Sequence, residues 1–116
     1  MKYLFLLYSP PEIRDDPEAR GSMEAWMGYS GALREAGVHL GENPLQGLDT
    51  ATTVRVRDGE TLISDGPFAE TKEMLGGYYL VDLPTREAAV EWAARVPNAP
   101  YGSVEIRPIM EYPDAP

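Results

Sequence analysis

The chain contains no cysteine, so it has no disulfide framework, no thiolate metal site and no cysteine nucleophile. It has one histidine, His39, too few to build an imidazole-rich metal centre. Basic residues are scarce: 10 Lys and Arg stand against 19 Asp and Glu, a net charge of −9. A nucleic-acid binder needs a basic footprint to neutralise phosphates, so that class is excluded, as is docking on anionic lipid. No apolar run is long enough to cross a membrane. The Tyr3–Tyr8 run is closed by Pro10 and Pro11 and reads as a buried strand rather than a leader. With neither leader nor cysteine, the expected compartment is the cytoplasm.

What the chain does have is an ordinary globular balance: 43% apolar and 25% charged residues over 116 positions, one domain's worth. The expected boundaries are a single domain over 1–110 and a frayed tail over 111–116. Acids at Asp15, Asp16 and Glu18 suit the positive end of a first helix, with Met23, Trp26, Met27, Ser30 and Leu33 on its core face. Gly37 supplies the stop. A short Val38–Leu40 strand follows. Thr53–Arg57 and Glu60–Ser64 then alternate around Asp58-Gly59, a favoured hairpin turn. Asp65 to Glu73 reads as a turn and one helical turn. Tyr78–Leu83 is a strand. Thr85 is the expected N-cap of a second helix that buries Ala88, Ala89, Trp92, Ala93 and Val96. Ser103–Met110 is the last strand.

With the hairpin set aside, the order is βαββαβ: an α+β ferredoxin-like fold, two helices covering one face of an antiparallel sheet. The first strand is apolar on both faces, with Tyr3, Phe5 and Leu7 on one and Leu4, Leu6 and Tyr8 on the other. Two helices cover one face only. The other face is expected to pack against a second copy, giving a homodimer.

The stretch Asp65-Gly66-Pro67-Phe68-Ala69-Glu70-Thr71-Lys72-Glu73, followed by Leu75-Gly76-Gly77-Tyr78-Tyr79, closely resembles the DGPF-type branch of the YCII-related proteins. Met1-Lys2-Tyr3, Trp26 to Gly37, Glu91 to Pro97 and Val104 to Ile109 agree with it, so the resemblance spans nearly the whole chain. It implies a dimeric α+β barrel enclosing a small molecule. It also implies a catalytic His–Asp pair, but Gly21-Ser22-Met23-Glu24 stands where the family's histidine belongs, while Asp65 remains. Genes of this type often lie beside those for extracytoplasmic-function sigma factors. A non-enzymatic regulatory or interaction protein with a sigma-factor-related partner is therefore the alternative function.

The candidate catalytic residue is Asp65, as a proton-transfer carboxylate or, in its ordinary role, a turn cap. His39 is a weaker candidate: if Val38 and Leu40 face the helices, it faces the barrel, either as acid or base or as hydrogen-bonded packing. Candidate ligand contacts are Tyr8, Phe68, Glu70, Lys72, Tyr79, Glu105 and Arg107. Glu105 and Arg107 share the face of the last strand away from the helices, where they form ion pairs across a dimer or hold an anion. The Glu70–Glu73 charges also fit a solvated turn. No metal site, phosphate-cradling loop or cofactor is implied. Whether the chain is an enzyme stays open at this level; a small-molecule ligand in the barrel is the leading expectation.

Overall fold

The computed structural model describes residues 1–113. Its elements are β1 (Lys2–Ser9), a single turn α1 (Pro11–Arg14), α2 (Met23–Glu35), β2 (His39–Pro44), β3 (Thr52–Arg57), β4 (Glu60–Asp65), β5 (Met74–Asp82), α3 (Arg86–Ala94) and β6 (Ser103–Pro108). Four strands form one antiparallel sheet in the order β2-β5-β1-β6, and β3 and β4 form a separate hairpin. That is the ferredoxin-like arrangement with an inserted hairpin, as the element order requires. Residues 114–116, part of the expected tail, lie outside the described residues.

The helix ends follow local chemistry. Ser22 caps α2 by accepting from the Ala25 amide at 3.1 Å. At the other end Val38 N–H reaches Leu33 O and Gly37 N–H reaches Arg34 O, a Schellman closure around Gly37 at φ +74°. Thr85 caps α3 through the Ala88 amide, as expected. Asp15, Asp16 and Glu18 do not start α2. They sit in the turns before it, where the Asp16 carboxylate accepts from the Glu18 amide and Gly21, at φ +92°, turns the chain toward Ser22. The expected helical turn between Asp65 and Glu73 is also absent. That segment is an irregular loop in which Thr71 Oγ1 donates to Glu73 O, a local side-chain bond that competes with helix.

The core lies between the sheet and the helices. It joins Tyr3, Phe5 and Leu7 of β1, Tyr79 and Val81 of β5, Tyr29 and Leu33 of α2, and Ala89 and Ala93 of α3, with Leu83 and Val96. Met23 and Met27 are not in it: they are 69% and 67% exposed. Helical spacing places them beside Ser30, but no element packs over that part of α2, and the gap is a cleft.

The opposite face of the sheet carries Leu4, Leu6, Tyr8, Tyr78 and Leu80, all half-buried, and no further layer of described residues lies over it. The hairpin turns at Asp58-Gly59, both with positive φ as this turn requires. It stands away from the sheet and leaves Val54, Val56 and Ile63 exposed. The molecule is accordingly a plate, 47 × 45 × 19 Å.

Candidate functional site

The cleft has a volume of about 790 Å³ and lies on the helix side of the sheet, not on the open face where the barrel interior was expected. Its floor is sheet (Leu7, Ser9, Gly77, Tyr79). One wall is α2 (Met23, Trp26, Met27, Ser30, Arg34), and the segment from Arg14 to Ser22 and the loop at Asn98 and Tyr101 close the rest. Buried polar side chains are rare because desolvation penalises them. Among the described residues three are buried, Ser9, Ser30 and Asn98, and all three line this cleft.

Each end of the cleft has its own polar network. At the loop end Asn98 is 1% exposed, and its amide Nδ2 donates to Tyr8 O at 3.0 Å and Ser103 O at 3.3 Å. These acceptors fix the orientation of the amide and leave its Oδ1 buried without a donor. Nearby, Tyr101 Oη donates to Arg20 O at 3.0 Å, and Arg14 reaches Gly76 O at 3.3 Å and Asp15 at 3.2 Å.

At the other end Ser30 Oγ lies 2.9 Å from Glu42 Oε2 and 3.3 Å from Tyr79 Oη. Glu42 Oε1 meets His39 Nε2 at 2.8 Å and Arg34 at 3.1 Å. This network depends on a bulge. In β2 the partners of His39 and Gly41 are Val81 and Leu80, so Leu40 is the extra residue. Without it, residues 39 and 42 would point to opposite faces. With it, both lie on the helix side. His39 therefore does not face the barrel, as regular alternation predicts; it lies against Glu42 with its side chain 14% exposed.

Two tyrosines at this end resist ionisation. Burial is the main cause for both. Tyr29, whose hydroxyl donates to Trp92 O at 2.8 Å, is pushed far above the ordinary value, with Tyr79 adding to the effect. Tyr79 is raised by burial, opposed by its bond to Ser30. Their folded pKa values lie above the unfolded one of about 10, so the stabilisation from keeping them neutral is full below about pH 10 and is lost as pH rises past it. The midpoint of urea unfolding should hold steady from neutral pH to about 10 and fall beyond it, more gently in Tyr29→Phe. A midpoint indifferent to alkali would show that these hydroxyls ionise freely.

The other sequence candidates lie elsewhere. Asp65 ends β4 at the base of the hairpin, opposite Thr52, exposed and outside the cleft. Phe68 is 79% exposed, and Glu70 and Lys72 are exposed on the same loop. Glu105 and Arg107 pair with Leu6 and Leu4 of β1, which puts them on the open face, 3.4 Å apart. Tyr8 shares that face, its pKa raised by burial and then by the Glu105 carboxylate. Of the candidates, the cleft holds Tyr79, and His39 stands behind it through Glu42. Ser9, Ser30, Glu42 and Asn98 were missed; an isolated Ser or Asn carries no spacing signal. Among the described residues no cluster of three His, Asp or Glu could hold a metal ion, and no helix is long and apolar enough to cross a membrane.

Three comparisons place the chain. A stretch of 64 residues is 47% identical to an uncharacterised protein of Rhizobium meliloti (strain 1021), covering 53% of this chain and 52% of that protein. The match thus spans about half the length of this curated relative. The fold resembles 5-chloro-2-hydroxyhydroquinone dehydrochlorinase of Burkholderia phenoliruptrix AC1100, solved in complex with 2,5-dihydroxybenzoquinone. The TM-score is 0.53 over 97% of this chain and 96% of that one, at 14% identity, which speaks to fold alone. Residues 1–113 match the model of the YCII-related domain, and the chain belongs to that family.

Proposed function

We propose that this protein binds a small ring compound bearing an anionic group in the helix-side cleft. The observation that carries the reading is the lining: every buried polar side chain among the described residues converges there, beside three guanidiniums and one carboxylate, in a chain of net charge −9. Trp26, Met23, Met27 and Tyr101 supply flat apolar contact, and Arg14, Arg20 and Arg34 supply the charge. The complex of the structural neighbour with 2,5-dihydroxybenzoquinone is in keeping with such a ligand. The Asp65–Glu73 motif supports placing the chain in the DGPF-type branch. Acid–base work by Asp65 is the second reading; Asp65 is exposed at the hairpin base, outside the cleft.

Trp26 makes the test direct, because it lines the cleft whereas Trp92 packs against Tyr29 and Arg95. Aromatic acids and 2,5-dihydroxybenzoquinone should quench its fluorescence saturably. Arg14→Ala should weaken that binding about tenfold or more, the loss of one charged hydrogen bond. Equal affinity in the variant, or quenching without saturation, would remove the reading.

A further inference from the structure

We propose that the cleft also takes a hydroxyl or enol proton from its ligand, passing it through Tyr79 and Ser30 to Glu42; this rests on the cleft being the ligand site.

The direction of the hydrogen bonds carries the proposal. A carboxylate only accepts. Ser30 Oγ, 2.9 Å from Glu42 Oε2, therefore spends its single proton on Glu42. Its contact with Tyr79 Oη at 3.3 Å must then be donated by the tyrosine. On the other carboxylate oxygen Arg34 donates, and His39 Nε2 lies at 2.8 Å, a donor in the tautomer that carries its proton on Nε2. Every proton in the chain Tyr79–Ser30–Glu42 points toward Glu42, and the open end is the tyrosine oxygen in the cleft. That oxygen has a lone pair for an incoming O–H. Burial, which holds Tyr79 above its ordinary pKa, keeps it a neutral carrier rather than a base.

The step balances. The ligand O–H bond breaks and its proton goes to Tyr79 Oη. The tyrosine proton passes to Ser30 Oγ, and the serine proton passes to Glu42, which becomes a carboxylic acid. The ligand is left as an enolate or phenolate that accepts from Tyr79, while Arg14 and Arg20 at the loop end face its separate anionic group. For an enol, a proton from water at the cleft mouth then adds to carbon, giving the ketone and hydroxide, and the Glu42 proton returns through Ser30 and Tyr79 to that hydroxide, restoring water and the carboxylate. No oxidant or metal is needed. His39 is a positioning residue: it and Arg34 hold the carboxylate toward Ser30.

Phenylpyruvate is the probe, since it joins a ring, a carboxylate and an enol whose loss is visible in the ultraviolet. The wild-type protein should speed ketonisation about 10²-fold or more over buffer, the lower end of the ~10²–10⁴ of a positioned base. Glu42→Gln and Ser30→Ala should fall to the buffer rate even at phenylpyruvate concentrations that saturate Trp26 quenching in each variant, a loss in turnover at full occupancy. Binding without acceleration, or acceleration that survives both substitutions, overturns the relay and leaves the binding site standing. Failure to bind removes both. A ligand-free measurement decides independently. His39 is the sole imidazole, so its ring nitrogens give unambiguous ¹⁵N signals. A proton on Nε2 is expected; a bare Nε2 would mean that Glu42 is already protonated and cannot act as acceptor.

Discussion

Gly102→Ala is expected to cost at least about 4 kcal/mol or to leave no soluble protein, on a total stability on the order of 10 kcal/mol for a domain of this size. A Cβ at 102 would stand 2.2 Å from Tyr8 O, 2.9 Å from Ser9 Oγ and 3.2 Å from Ser9 Cα. Two of these are backbone atoms of β1, which is held on both sides by β5 and β6, so they cannot step aside. The same turn forms the closed end of the cleft: Gly102 N–H donates to Asn98 O at 2.7 Å, and the Asn98 amide ties Tyr8 to Ser103. The added methyl would part the loop from the strand and break that tie. Gly31→Ala is the matched control. Gly31 lies in α2 with nothing within 4 Å of an added Cβ, so alanine there should stabilise by about 0.5–1 kcal/mol. Urea unfolding of both variants reads the contrast. Similar small effects at the two positions would mean that the loop does not pack on β1 as described.

The second large effect concerns assembly. The open face presents Leu4, Leu6, Tyr78 and Leu80 without a covering layer, and the hairpin carries Val54 and Val56 at 59% exposure and Ile63 at 69%. A radius of gyration of 16.1 Å exceeds the roughly 13 Å of a compact domain of this length. We propose that a second copy covers both the apolar side of the plate and the apolar arm. The charges on the open face permit it, because Glu105 and Arg107 there are of opposite sign and pair with each other. Light scattering should give twice the 12.8 kDa of one chain. Leu6→Asp puts a charge on the central strand at the joint and should return the mass to one chain, with helical circular dichroism retained because Leu6 is outside the helix-side core. A monomeric wild type, or an aspartate variant that stays dimeric, would contradict this.

Where local chemistry decides a structure, the sequence is legible. Asp58-Gly59, Thr85 and Gly37 each do in the fold what their residue types require, and Glu105 and Arg107 lie on the face that alternation assigns to them. Legibility fails where a distant strand decides. Nothing in His39-Leu40-Gly41 marks the bulge, which exists because β2 pairs with β5 in a register that leaves Leu40 over; that one extra residue turns His39 from the barrel to Glu42. The methionines of α2 match a core stripe by spacing, but they line the cleft, which Tyr101 from the loop after α3 and Arg20 from the segment before α2 help to close. The cleft itself draws on residues from 7 to 101, so no contiguous motif announces it. The conspicuous motif at Asp65–Glu73 fixes the family resemblance, yet within one chain it folds as an exposed loop at the hairpin base.

The central claim is that the ligand sits on the helix side of the sheet. Amide chemical-shift mapping during titration with 2,5-dihydroxybenzoquinone and with phenylpyruvate tests it most directly. The expected result is that the shifts gather on Ser9, Trp26, Ser30, Tyr79, Asn98 and Tyr101, with Asp65, Glu105 and Arg107 still. Shifts centred on Asp65 and the open face of β1 and β6 would place the site in the barrel between two sheets and contradict it.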